Sequence, residues 1–171
     1  GSLLHSRLPG CATAGGAAVV VAMSGAVVAV LQVALPTKVQ TAAAAEASMV
    51  GLVHCITVHP PNVVTDCLSL VRTAEQGAIR ATRSNRTLAG MWTRLAACLD
   101  GDLEALVDDE RLVWMPAHKS LAAARARRRS DGKLVPPIDW QANRLADAHA
   151  KAAAAACAPA DAVLGEVRDA M

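Results

Sequence analysis

Residues 17–35, AAVVVAMSGAVVAVLQVAL, decide how the chain is to be read. They lie within a run from Leu8 to Thr37 that carries no charge and is long enough, by length alone, for a membrane span. Two features oppose a span. Ser24-Gly25 splits the run into two Val-rich halves, and Val, branched at Cβ, favours strands over helices. Two such halves about a small-residue turn predict a β-hairpin. Gly10, Gly15, Gly16 and Gln32 would also weaken a lipid-facing helix. A secretory signal fits poorly, because the chain opens without Met and only Arg7 provides a cation shortly before the run.

Outward from the hairpin, periodicity alternates between strand and helix. Thr37 to Val53 has apolar positions at helical spacing in an Ala-rich stretch whose one acidic residue is Glu46. His59-Pro60-Pro61-Asn62 is a turn, followed by a short β-branched strand ending in Asp66. Cys67–Thr73 reads as a short helix, Arg80–Arg86 as a basic loop or helical connection, and Thr87–Leu99 as a helix with Trp92, Leu95 and Leu99 on one face. Asp100-Gly101-Asp102 breaks that helix. Arg111–Met115 is a strand closed by Pro116. A basic loop follows, and Asp139 is placed to cap a helix through QANRLADAHAKAAAAAC that Pro159 stops. The order ββ-α-β-α-α-β-α predicts an α/β fold, helices flanking a mixed sheet.

Composition constrains the core and the partners. The 171 residues are 53% hydrophobic with no Phe, no Tyr and three Trp, but 38 Ala, so the core must be built from Val, Leu, Ala and Met. The net charge of +2 excludes a chain that binds nucleic acid by bulk charge. Within residues 119–133, however, Lys119, Arg125, Arg127, Arg128, Arg129 and Lys133 stand against Asp131 alone, a local block that can contact phosphates or remain a solvated loop. Five cysteines, odd in number and without a CxxC pair, argue against a disulfide framework or zinc site. They suggest a reducing, intracellular setting in cytoplasm or nucleus, with Cys55, Cys67, Cys98 and Cys157 as packing thiols.

Three carboxylates stand out by placement. Asp66 lies at the carboxyl end of a strand, where open α/β sheets bind ligands. Glu46 is alone on an apolar helix, costly to bury without a cation. Asp147 follows Asn143 by four residues and shares its helical face. Each alone has an ordinary explanation as a cap, a solvated residue or a salt-bridge partner. Drawn together from separate elements they would suit Mg²⁺, a hard ion preferring oxygen.

With VVTDCLSLV (63–71), WMPAH (114–118) and DWQANRLADAHAK (139–151) in this order, the chain resembles ribonuclease H type 1, found free-standing and within retroelement polyproteins. The resemblance covers nearly the whole chain. It implies an RNase H-like mixed sheet, a domain over residues 1–157 with a basic insertion at about 119–138, and a C-terminal tail over 158–171. It also implies hydrolysis of the RNA strand of RNA–DNA hybrids with two Mg²⁺ ions, Mn²⁺ as an alternative, by a protein that is monomeric or part of a polyprotein and has no membrane partner. Glu46, Asp66 and Asp147 match three of the family's four carboxylates and metal ligands, His118 matches its mobile catalytic histidine, and Asn143 the Asn one turn before the last carboxylate. Trp92 with Arg80, Arg83, Arg86 and Arg94 would face the DNA strand, the alternative for Trp92 being the core, and Arg127 and Arg128 would reach phosphates from the insertion. The family's first carboxylate ends an opening strand in Asp-Gly-Ser. This chain opens on Gly1-Ser2, which is read as a fragment lacking that strand and its Asp. The alternative function is a catalytically degenerate module that binds nucleic acid or protein.

Overall fold

The computed structural model describes residues 1–8, 10–35, 39–59, 61–117 and 119–171. Its elements are β1 (Ser2–Leu4), β2 (Thr13–Val21), β3 (Val27–Ala34), α1 (Ala42–Ile56), β4 (Val63–Thr65), α2 (Leu68–Ala74), α3 (Gly77–Ala81), α4 (Ala89–Ala97), α5 (Ala105–Asp108), β5 (Leu112–Trp114), α6 (Leu121–Arg125), α7 (Pro137–Ala156) and α8 (Asp161–Asp169). The chain is mixed α/β: one antiparallel sheet in the order β1-β2-β3 and one parallel pair, β4-β5.

The charge-free opening is the hairpin β2-β3, paired from Gly15↔Ala34 to Val21↔Val27 with an irregularity between Val20 and Val21. Gly25 takes φ +87° at its turn, a conformation open to glycine at no steric cost. Among the described residues no helix is long and apolar enough to cross a membrane.

Helices cover both faces of β2, and the sequence allows this through two adjacent glycines. A methyl group on Gly15 would meet the backbone of α7 at Ala150 O and, 2.6 Å away, Ala154 N. One on Gly16 would meet α1 at Met49 Cγ and, 2.8 Å away, Ala45 O. Neighbouring strand residues point to opposite faces, so Gly-Gly lets both helices approach closely. The facing helix residues are small as well: Ala44 and Ala45 on α1, Ala150, Ala153 and Ala154 on α7, all buried. The alanine excess and absence of Phe and Tyr thus fit layers packed by close backbone approach.

The largest core cluster lies beneath α1, α2, α4 and α5 and includes Leu70, Val71, Trp92, Leu95, Leu103, Leu106 and Leu112. Gln40 joins the hairpin to the start of α1, its Oε1 accepting from Ala14 N at 2.6 Å and its Nε2 donating to Leu35 O at 2.8 Å.

Several expectations are corrected. The opening strand is not wholly missing: Ser2–Leu4 forms β1, antiparallel to β2 with Ser2↔Gly15. A three-residue strand has too little alternation to be legible and is held by its pairing. The first long helix starts at Ala42, where the Thr41 hydroxyl accepts from Ala44 N at 3.0 Å, and runs to Ile56; Thr37 lies outside the described residues, as do Pro36 and Pro60. Asp139 does not cap α7, which starts at Pro137 with Asp139 in its first turn. The expected tail contains α8, with Leu164 buried. Cys55 and Cys98 are not free thiols but a disulfide joining the end of α1 to the C-cap of α4. At a sequence separation of 43, no local spacing announces the pair. Cys11, Cys67 and Cys157 are free.

Candidate functional site

Glu46 on α1, Asp66 directly after β4, and Asn143 and Asp147 on α7 come to one end of the sheets. Each is placed by identifiable contacts. Thr65 is buried at the end of β4, and its hydroxyl donates to Glu46 Oε2 at 2.9 Å while accepting from Cys67 N at 3.1 Å. The Trp114 indole N–H donates to the Asp66 carbonyl at 3.1 Å, which fixes the turn after β4 against β5. Asn143 Nδ2 donates to Asp66 Oδ2 at 3.3 Å across 77 residues of chain. Lys151 Nζ lies 2.7 Å from Asp147 Oδ2, one turn further along α7.

The first residue of the chain stands among these carboxylates. The Gly1 amino group is ion-paired with Glu46. Burial pushes this amine below its ordinary pKa, while the charges of Asp66 and Asp147 act to raise it. Carboxylates from α1, the end of β4 and α7 thus all lie within electrostatic reach of half-buried Gly1. All the carboxylate donors are hard oxygens, a chemistry that fits a divalent cation such as Mg²⁺. Among the described residues, though, no three His, Cys, Asp or Glu groups stand close enough together to form a ready-made metal-holding group.

Beside the site a cavity of about 270 Å³ separates the two sheets, lined by Ala17–Val21 of β2, Val63–Thr65 of β4, α1 through Glu46, Met49, Val50 and Val53, and α7 through Ala142, Asn143 and Ala146. The β2 wall of this cavity starts at Ala17, two residues beyond Gly15, the partner of Ser2.

The other expected residues divide sharply. Trp92 is a core residue, 4% exposed, so it offers no ring to a nucleic-acid strand; its helical stripe with Leu95 faces the hydrophobic cluster instead. Arg80, Arg83, Arg86 and Arg94 are exposed, Arg86 donating to Gln76 Oε1 at 2.9 Å. His118 lies outside the described residues.

The basic block is structured around one arginine. Arg129 pairs with Asp131 and with Asp139 of α7, and Asp131 is 2% exposed at its side chain. The bound guanidinium holds the Asp131 carboxyl below the usual carboxylate range, and Asp131 in turn raises the Arg129 pKa. Lys133 pairs with Glu110, and Arg128 donates to Gly132 O at 2.6 Å. Arg125 and Arg127 are exposed. Sequence reasoning missed Thr65 and Trp114 as the groups that position Glu46 and Asp66. Their signal was available in the hydroxyl and indole immediately beside the strand ends, but only pairing of β4 with β5 shows which carboxylate each one serves. No protein-family model, curated protein or solved structure matches this chain.

Proposed function

We propose that this chain is an RNase H-like domain whose activity is hydrolysis of the RNA strand of RNA–DNA hybrids. The observation that carries the reading is that Glu46, Asp66 and Asp147, from α1, the end of β4 and α7, gather around the first residue of the chain. Two further observations support it. Asn143 bonds the strand-end Asp66, which couples α7 to β4 at the site. The cavity between β2 and β4 lies where a single mixed sheet would have a strand continuing β1 upstream, antiparallel to β2. On this reading an Asp joined to Gly1 supplies the fourth carboxylate beside Glu46.

Glu46, Asp66 and Asp147 are the residues that would hold Mg²⁺, with Mn²⁺ as an alternative. Bound there, the metal would supply water activation and stabilisation of the leaving 3′-oxygen. Thr65 keeps Glu46 aimed, Asn143 keeps Asp66 aimed, and Lys151 limits the freedom of Asp147. His118 would be the proton carrier of the reading, a role that imidazole commonly serves. The 2′-hydroxyl marks the RNA strand as the one cut.

A second reading, a degenerate module that binds without cutting, is favoured by one observation: the described carboxylates do not form a ready-made group of three. A cleavage assay separates the two. With an end-labelled hybrid and Mg²⁺, the chain carrying an added Asp before Gly1 cuts the RNA strand, and Asp66→Asn removes the activity. Absence of cutting, or cutting that survives Asp66→Asn, would leave the nuclease reading without support.

A further inference from the structure

A second cavity, of about 240 Å³, opens beside the carboxylates between α7 and the segment entering α6, and its walls include Lys119, Ser120, Trp140, Asn143, Arg144 and Asp147. The four α7 residues fall at i, i+3, i+4 and i+7, one stripe of the helix. Their chemistry differs from that of the carboxylate site they adjoin. The Trp140 indole N–H donates to the Lys119 carbonyl at 3.0 Å, fixing that backbone against α7. The Arg144 guanidinium lies over the Trp140 ring, 4.9 Å from its centroid. Stacking holds a planar fork of donors in place while leaving its edges free for an anion.

What singles out these two cations is that they share one concavity, not that they lack a salt bridge, which other exposed arginines also lack. Arg129, Lys133 and Lys151 each have a carboxylate partner. Among the described residues Lys119 and Arg144 have none, although both are exposed and Asp147 lines the same cavity. A concavity with two uncompensated cations, an amide and an aromatic wall calls for a compact anion carried on a larger, partly apolar group. A phosphate on its sugar has this character.

We propose that this cavity seats a phosphodiester of the bound strand next to the one being cut, with Arg144 as the positioning residue and Lys119 as the second cation. The proposal rests on the hybrid-cleaving reading but concerns residues that reading does not use. The placement gives Trp140 a purpose: it holds the guanidinium in the plane that a bidentate phosphate contact requires.

The test is hybrid binding without metal. Fluorescence anisotropy of a labelled RNA–DNA hybrid is measured in EDTA over a series of salt concentrations for the wild-type chain, Arg144→Ala, Lys119→Ala and Arg144→Lys, with the exposed Arg168→Ala on α8 as control. Each lost phosphate contact should lower the slope of log affinity against log salt by about 0.9. Arg144→Ala and Lys119→Ala should each show that loss, Arg144→Lys should keep the slope but bind more weakly, and Arg168→Ala should match wild type. Helix signal by circular dichroism verifies folding, which an exposed Arg-to-Ala change on a helix preserves. If the hybrid is bound and Arg144→Ala behaves as Arg168→Ala does, the phosphate seat is overturned while the nuclease reading stands. If no hybrid is bound, inorganic phosphate is titrated against tryptophan fluorescence. A change lost in Arg144→Ala would keep the anion site and remove the nuclease reading; no change would overturn both.

Discussion

Gly15→Ala should destabilise the fold although alanine is the more strand-compatible residue. The added methyl would clash with Ala150 O and sit 2.6 Å from Ala154 N, both backbone atoms of α7 that cannot rotate away. To reach ordinary contact, α7 must lift from the sheet by the better part of an ångström. That movement loosens Ala150, Ala153 and Ala154, all buried, and shifts Asn143 and Asp147 relative to Asp66. Overpacking of this kind costs about 1–3 kcal/mol. The reduced freedom of the unfolded chain returns about 0.4–1 kcal/mol. With backbone on the far side of the clash, the upper part of the range applies, for a net loss of about 2 kcal/mol. Gly51→Ala is the control: it lies inside α1 with nothing within 4 Å of an added methyl, and should gain about 0.5–1 kcal/mol. Urea unfolding followed by circular dichroism gives both values, with unchanged slopes expected. If Gly15→Ala were as stable as Gly51→Ala, the close seating of α7 on β2 would be wrong.

Other consequences follow from single contacts. Arg129→Ala removes the guanidinium that joins Asp131 to Asp139, leaving Asp131 only the Lys133 amine 3.5 Å away, and should cost about 2–3 kcal/mol in thermal or urea unfolding. Because Arg129 holds the Asp131 carboxyl below its unfolded value, the associated stability is present at neutral pH and is lost as pH falls through the depressed folded value. Acid unfolding of Asp131→Asn should therefore be shallower than that of wild type in that window, and parallel curves would contradict the coupling. Thr65→Val removes the hydroxyl between Glu46 and Cys67 at nearly constant shape and should cost about 1.5–3 kcal/mol by urea unfolding, in line with a hydrogen bond to a charged group. The exposed Cys55–Cys98 disulfide closes a loop with a separation of 43 residues, worth about 4 kcal/mol in the chain-entropy account. A Cys55→Ser, Cys98→Ser double variant should melt correspondingly earlier, and an unchanged midpoint would show that the bond adds nothing.

The parts of the fold that were legible in the sequence are those with many repeats of one period. The β2-β3 hairpin was visible because two Val-rich runs flank Ser24-Gly25, and α7 because its apolar spacing persists over most of 20 residues. Three short helices, Gly77–Ala81, Ala105–Asp108 and Leu121–Arg125, are too brief for periodicity to register. Trp92 was ambiguous for a different reason: the stripe it shares with Leu95 serves equally for a core or a binding face, and only the position of α4 against α1 decides for the core. At the site, Asp66 and Asn143 could be singled out by position, and they bond to each other. That Arg129 would tie the basic block to α7 could not be read from the sequence. Its partner Asp131 is local, but Asp139 is brought to it by the packing of the loop on the first turn of the helix.

Glu46, Asp66 and Asp147 are proposed to serve one cation site. Paramagnetic broadening by substoichiometric Mn²⁺ in an amide-correlation NMR spectrum tests this most directly, on the chain carrying an added Asp before Gly1. The account predicts that signals from residues 46, 66 and 147 broaden together at the same low Mn²⁺ concentration, and that excess Mg²⁺ restores them. Broadening at only one of the three, or centred on another acidic patch such as Asp108–Glu110, would contradict it.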